Sequence, residues 1–363
     1  MERTPCPVAR PWNCFHFILP HAVELRNVPG MIPRTLPSNL ARLLTLFLVA
    51  PAFAANAANT TPPLTPGTPI PLAGTQGGCD FIQMDANGNR LLLGHEGNKS
   101  FDVFDIATGK LLKVIPDCTS QDAATDVKRG SYYVSGNDPA RMVIVDSNKL
   151  EVSGSVPVPA NTDLIAYDAA SGLVYECNDT AAEDWVIDPT AQKIVATVTM
   201  DGRGVEDLAF DPDYKYLYQA VKGTNTIAKI DPATNKVVAA WPLAPDKGPH
   251  GIAMVPDNNG LLVACAGKLL LLDRTSGKIT ATAPTALRVD EMTYDPGAHI
   301  AYCAGRQGKI SAISVGSGTL TPLGDVADQP GAGDITVDPK THTVWTVYKT
   351  GTQAFVQPFT HTE

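Results

Sequence analysis

Apolar and polar positions alternate with period two in short runs along most of the chain, and turn residues punctuate them. That period belongs to half-buried β-strands and not to helices. One set of runs ends at Asp85 ("FIQMD"), Lys128 ("AATDVK"), Asp168 ("LIAYD"), Asp211 ("DLAFD"), Val255 ("GIAMV"), Asp295 ("EMTYD") and Asp338 ("DITVD"), at steps of 43, 40, 43, 44, 40 and 43 residues. After each comes a turn and a second apolar run, such as "KYLYQAV" or "NGLLVACA".

A hairpin keeps the same beat. The stretches "FDIATGKLLKVIP", "VDSNKLEVSGSVP", "IDPTAQKIVATVTM", "IDPATNKVVAAWPL" and "LDRTSGKITATAP" open on Asp105, Asp146, Asp188, Asp231 and Asp273, with Ser314 in the sixth place. The steps are 41, 42, 43, 42 and 41 residues, and Lys110, Lys193, Lys236 and Lys278 each follow their Asp by five. An Asp carboxylate accepts backbone N–H groups in such a turn, and Gly or Asn tolerates the positive φ at which the strand reverses.

Each unit therefore reads as strand, turn, strand, loop, strand, Asp-turn, strand. Four strands in roughly 40–45 residues, repeated seven times, predict an all-β chain. The expected architecture is a seven-bladed β-propeller of four-stranded antiparallel blades, because one blade cannot bury its own faces and must stack on neighbours. The last unit holds three strands, "DITVD", "HTVWTVYK" and "TQAFVQPF". "PGTPIPLAG", Pro66–Gly74, is expected to supply the fourth and close the ring, its prolines suiting an edge position.

The stretch "LYQAVKGTNTIAKIDPATNKVVAAWPL" resembles the YVTN-repeat, YncE-like family of exported seven-bladed propellers. The resemblance spans about residues 78–358 and is strongest in "IDPATNKVVA"; the name-giving tetrad is approached by "YVSG" at Tyr133–Gly136. It implies the fold and an extracytoplasmic setting. It carries over no catalytic motif.

The N-terminal region reads differently. "LLTLFLVAPAFAANA", Leu43–Ala57, is an apolar run followed by small residues at A-x-A spacing, with Arg34 and Arg42 before it. That is the layout of a secretory leader when counted from Met31. Residues 1–30 are thus expected to be an upstream extension, 31–57 a signal peptide cleaved after Ala54 or Ala57, 58–77 a linker with the closing strand, and 78–363 the propeller. The product is expected to be periplasmic or secreted, monomeric and, once the leader is gone, without a membrane span, since the apolar run is too short to serve as an anchor.

Charge and cysteines narrow the function classes. Five Arg and two Glu lie in residues 1–54, so the remainder carries 23 basic and 35 acidic residues, a net charge of −12. With no Lys/Arg run present, nucleic acid is not an expected partner. The remaining cysteines, Cys79, Cys118, Cys177, Cys265 and Cys303, form no C-x-x-C. Cys177, Cys265 and Cys303 share one repeat position where other blades have mostly small residues, and read as packing. Cys79 and Cys118 precede innermost strands of adjacent blades, and a disulfide between them is expected in an oxidising compartment.

Innermost strands of a propeller begin at one face, beside the channel. Their starts here carry Asp80, Asp122, Asp163, Glu206 with Asp207, His250, Asp290 with Glu291, and Asp334, with Arg203 and Arg288 in connecting loops of the same face. His95, in the loop between the second and third strands of the first blade, is expected at that face, where a pair with His250 is geometrically open. A carboxylate ring with one imidazole suits a divalent cation or a polar, cationic ligand. The plainer reading is that these acids cap strand ends and bond loop amides. Trp185, Trp241 and Trp345 fall in strand runs and read as core filler.

Two functions of different class follow. One is a non-catalytic exported propeller that binds a ligand, ion or protein partner at the acidic channel mouth. The other is a lactonase-like hydrolase on the same face, which requires His250, Arg203 and Arg288 to converge with a carboxylate. A third class, a metalloenzyme or cofactor-dependent oxidoreductase, finds no haem-attachment C-x-x-C-H to support it.

Overall fold

The computed structural model describes residues 63–87, 89–178 and 180–362. The expected extension and signal peptide lie outside them. No helix among the described residues is long and apolar enough to cross a membrane.

The described residues fold into seven antiparallel sheets, six of them following chain order from the channel outward and the seventh taking its outer strands from the N-terminus. The innermost strands are Phe81–Met84, Thr119–Asp126, Thr162–Asp168, Val205–Phe210, Ile252–Val255, Val289–Asp295 and Asp334–Asp338, which define blades 1 to 7. Blade 4 shows the pattern: Val205–Phe210, Leu217–Val221, Thr226–Asp231 and Lys236–Pro242 pair in sequence. The architecture is the seven-bladed β-propeller that the sequence period predicts.

The repeated hairpin works as its turn chemistry requires. Asp231 Oδ1 accepts the Ala233 N–H at 2.9 Å, and Asp146, Asp188 and Asp273 accept their own turn amides at 2.8 to 3.0 Å. Gly109, Gln192, Asn235 and Gly277, each just before the repeated Lys, have φ between 51° and 71°. Each hairpin also carries a bulge, for instance between Lys229 and Ile230 against Ala239 and Val237. In blade 4 a four-residue loop joins the paired Asp231 and Lys236, with left-handed Asn235 at its end and the bulge at Val238, and the bulge adds to the local twist of the strands.

Packing is one hydrophobic cluster per pair of neighbouring blades, seven in all among the described residues. In blade 3, Tyr175 and Cys177 face blade 4 while Val174 faces blade 2. Period two thus sends alternate side chains into two different interfaces. Cys177, Cys265 and Cys303 are buried in such clusters, as are Trp185, Trp241 and Trp345.

Blade 7 is closed by the N-terminus, two residues earlier than expected. Leu64–Pro66 pairs with the end of Gln353–His361, and Ile70–Pro71 pairs with its beginning, Val356 and Phe355. Leu64 enters the cluster between blades 6 and 7, and Leu72 the cluster between blades 7 and 1. The first and last segments of the propeller thereby share one sheet, and each anchors it on one side.

The expected disulfide is not formed: Cys79 and Cys118 are both free thiols. They flank blade 1 on opposite sides. Cys79 packs with Ile82 against blade 7, and Cys118 packs with Val134 and Val143 of blade 2, its sulfur directed at Gly136. Adjacent positions in the repeat are not adjacent in space when a whole sheet separates them.

Candidate functional site

Strict alternation would send only one of two neighbouring acids toward the channel. Bulges at the start of the innermost strands change this. In blades 2, 3, 4 and 6 the pairing skips two residues, between Ser120 and Ala123, Thr162 and Ile165, Val205 and Leu208, and Val289 and Met292. The skipped residues include Asp122, Asp163, Glu206 with Asp207, and Asp290 with Glu291. A bulge re-aims side chains and interrupts pairing, and here it gathers carboxylates at one mouth.

His250 stands among them. Its Nε2 lies 3.1 Å from Glu206 Oε2 and 3.6 Å from Asp290 Oδ1, and its Nδ1 lies 3.4 Å from Glu291 Oε1, outside hydrogen-bond geometry. Blades 4, 5 and 6 are joined through this one imidazole. Gly251 makes the approach possible, because a Cβ there would meet Met292 N at 2.8 Å and Glu291 Oε2 at 3.0 Å. Arg306 pairs with Asp290, and Lys222 Nζ lies 3.1 Å from Glu206 Oε1.

Two of the acids do the plainer job. Asp122 accepts the N–H of Ala123 at 2.6 Å and of Ile165, in blade 3, at 3.1 Å. Asp207 accepts the N–H of Leu208 at 2.7 Å and of Ile252, in blade 5, at 2.8 Å. Asp163 contributes its carbonyl to Ser135 Oγ.

The electrostatics follow from crowding in a partly dry site. Burial, and then the charges of Glu96 and Asp290, push Asp80 up to about 6, while Arg306 and His250 pull the other way. Burial raises Asp207 to about 6 against the pull of its two amide donors. Glu291 and Asp334 are held well above the usual carboxylate range, first by burial and then by neighbouring acids, Asp207 and Asp290 for the former, Asp290 for the latter. Burial works against the charge on Arg306, and Asp334, Asp290 and Asp80 more than offset it.

Below the mouth the channel has walls of mixed polar and apolar character. A cavity of about 380 Å³ begins at Asp207 and is lined by Phe81, Met254, Met292 and Ile335 together with Gln83, Thr293, Tyr294 and Thr336. A second of about 310 Å³ shares Gln83, Leu208 and Ala209 with it. A larger cavity, about 860 Å³, opens among turns of the opposite face. Its charged groups are satisfied locally: Tyr132 donates to Asp85 Oδ2 at 2.9 Å, and Arg90 Nη1 donates to the Ser147 carbonyl at 2.6 Å. The unbalanced charge sits at the mouth.

Three expected members do not join the cluster through their side chains among the described residues. His95 is fully buried against blade 2, with Nδ1 2.7 Å from Asp102 Oδ2 and its N–H on Ser120 Oγ at 3.1 Å, so it makes no pair with His250. Arg203 and Arg288 are exposed and form no ion pair among the described residues. They serve through their carbonyls, which accept the N–H of Gly223 at 2.7 Å and of Arg306 at 3.1 Å. The cations at the mouth are instead Arg306 and Lys222, from the loop between second and third strands of blades 6 and 4. That is the loop type that drew attention to His95, and the same rule applied to every blade points to both.

No group of three or more His, Cys, Asp or Glu side chains among the described residues is arranged to hold a metal ion. Arg306 and the imidazole occupy space between carboxylates, and backbone amides take up the oxygens of Asp122 and Asp207. The divalent-cation expectation has no preformed cage behind it.

No protein-family model matches the chain, and no curated protein matches it. Among solved structures it is similar to hydrazine synthase of Kuenenia stuttgartiensis, with a TM-score of 0.66 and 14% identity, covering 74% of this chain and 92% of that one. Likeness at that identity is a likeness of fold. The fold is the β-propeller.

Proposed function

We propose that this chain is an exported, non-catalytic propeller of the YVTN-repeat, YncE-like kind that binds a cationic ligand at its acidic channel mouth. The observation that carries the reading is the setting of His250 within reach of Glu206, Asp290 and Glu291. Around it Asp80 and Asp207 add to Glu206 and Asp290, so that carboxylates exceed Arg306, Lys222 and the imidazole even though burial favours the neutral forms of Asp122, Glu291 and Asp334. A low-dielectric concave site lined with one sign of charge concentrates the opposite sign. The export part of the reading rests on the leader-like sequence of residues 31–57, and the family on the repeated hairpin.

The hydrolase reading has less support from two of its three cationic residues, since the exposed side chains of Arg203 and Arg288 pair with no carboxylate among the described residues. A non-catalytic site is the simpler account of a mouth built from carboxylates, one imidazole and a paired guanidinium.

Thermal-shift titration with organic cations of varied shape (arginine methyl ester, choline, butylamine) against their neutral counterparts tests the reading. The expected result is stabilisation by at least one cation, weakened by added salt and lost in Asp290→Asn/Glu291→Gln. If no cation raises the melting temperature, the reading fails.

A further inference from the structure

Between blades 3 and 4, against the backbone of Glu206, lies a buried polar pocket. Cys177 and Asp184 are opposite partners in blade 3 and share the face turned to blade 4, where Gln219 meets them; all three side chains are fully buried. The bulge takes Glu206 out of the strand pairing, and side chains meet its carbonyl instead. Gln219 Nε2 donates to it at 3.3 Å and the Cys177 thiol at 3.7 Å. The same Nε2 lies 2.9 Å from Cys177 Sγ.

Three acceptors here lack a donor. Both oxygens of Asp184 and the Oε1 of Gln219 are buried with no hydrogen bond among the described residues, although Gln219 and Cys177 are the polar side chains that act on the Asp184 carboxyl. Bare buried oxygens are costly, and two acceptors cannot satisfy each other without a proton. A neutral Asp184 supplies that proton, its O–H donating to Gln219 Oε1. Burial, the largest influence, pushes Asp184 up to about 7. The charge acting on it is Glu183; Cys177, held well above its usual range by burial, also feels Asp163 and Asp207. None of these charges is positive.

Resting on the proposed cation-binding reading, we infer that Asp184 and Gln219 form a proton-operated amide switch behind Glu206: while Asp184 is protonated the amide holds the Glu206 carbonyl, and when Asp184 ionises the amide turns to it and releases that edge of the mouth. An ionised Asp184 needs N–H donors, and the Gln219 amide is the one beside it. Half a revolution gives its NH₂ to Asp184 and its oxygen to the Cys177 thiol, and the Glu206 carbonyl loses its amide donor. The Glu206 side chain meets both His250 Nε2 and Lys222 Nζ at 3.1 Å, so its backbone anchor bears on the mouth. The sense is opposite to that of the mouth carboxylates, whose ionisation strengthens cation binding as pH rises. Glu176 provides an internal comparison. It is also fully buried with both oxygens unbonded, and burial pushes it up to about 8, but by alternation with Cys177 it faces blade 2, away from Glu206.

Carbon-detected NMR titration of the mature protein is expected to show the Asp184 carboxyl and the Gln219 side-chain amide shifting together near pH 7, and the amide still in Asp184→Asn. Choline and butylamine, which stay charged throughout, are then titrated about one and a half pH units either side of that midpoint. Affinity is expected to fall roughly fivefold or more on the alkaline side in wild type and in Glu176→Gln, the size of an ordinary coupling between sites. It is expected not to fall in Asp184→Asn, which keeps the neutral form. An Asp184 carboxyl ionised across the whole range, or an amide that does not move with it, overturns this inference. So do parallel pH profiles in wild type and Asp184→Asn, or a Glu176→Gln profile that matches Asp184→Asn, which would mark a general loosening of blade 3. Absence of binding by any cation at either pH, with Asp184 and Gln219 still titrating together, overturns the proposed function and the link to the mouth, and leaves the pair acting on stability alone.

Discussion

The carboxylate of Asp207, in blade 4, accepts the backbone N–H of Ile252, in blade 5, at 2.8 Å. Asp122 and Ile165 repeat the arrangement between blades 2 and 3 at 3.1 Å. In both, the second oxygen accepts the N–H of the following residue. These two acids of the mouth are staples between blades as much as members of a charge cluster. Removing either orphans two strand amides.

Asp207→Ala and Asp122→Ala are therefore expected to lower stability by about 1–3 kcal/mol each, the cost of leaving buried donors unsatisfied. Asn is not a rescue, since its amide group would present a donor to one of the two N–H groups. Denaturant unfolding of the three variants Asp207→Ala, Asp207→Asn and Asp122→Ala checks this. An Asn variant as stable as wild type would show that one of the paired bonds is dispensable.

Asp80 makes the opposite prediction. Its folded-state pKa is raised, so the native state keeps a proton that the unfolded chain has released. Stability from this group is full below pH ~4 and is lost as pH rises through about 6. A displacement from 3.8 to about 6 corresponds to roughly 3 kcal/mol. Asp80→Asn is expected to be more stable than wild type by up to that amount at pH 7.5 and nearly equal to it at pH 4. Chemical denaturation at the two pH values distinguishes this from a variant that is uniformly stabilised.

Ring closure rests on Leu64 and Leu72, 1% and 0% exposed, in the two clusters either side of blade 7. Leu64→Ala and Leu72→Ala are each expected to cost about 2–5 kcal/mol, as a cavity opens at a blade interface. Deleting residues 63–72 is expected to exceed either, because the edge of Gln353–His361 then loses its partner strands. Differential scanning calorimetry gives the order of the three melting temperatures. A deletion no worse than one Leu→Ala would mean that the seam holds without the closing strands.

The five propeller cysteines are expected to be free and unreactive in the native state. Burial holds the Cys79 thiol well above its usual range, with the charges of Asp102, Asp334 and Asp80 adding to it, and burial raises Cys118 to about 12. A thiol kept protonated is a poor nucleophile. Ellman titration is expected to find negligible reaction in buffer and all five thiols in guanidinium. Mass mapping of the non-reduced protein that finds Cys79 linked to Cys118 would contradict the free-thiol geometry.

Export carries its own test. Expression from Met31 in a bacterial host is expected to give a periplasmic product beginning near Ala55 or Ala58. N-terminal sequencing of a cytoplasmic product that retains the leader would remove that part of the proposal.

Sequence alone determined the repeat, the number of blades and the order of strands. These are local properties: period two marks a strand, and an Asp with a Gly or Asn marks its reversal. It also placed the acids at one end of the innermost strands, since antiparallel order fixes which end of a strand meets which face. What it could not determine was where a side chain at that end points. The bulges at Asp122, Asp163, Glu206–Asp207 and Asp290–Glu291 break the alternation on which any sequence-based assignment of faces depends. Tertiary structure therefore decided that His250 meets Glu206, Asp290 and Glu291, that Arg306 and Lys222 are the cations paired with the mouth carboxylates, and that His95 turns inward to Asp102. It also decided that Cys79 and Cys118 lie on opposite sides of blade 1. Each of these is a relation between residues far apart in the chain, fixed by how neighbouring sheets pack and not by the local pattern that forms them.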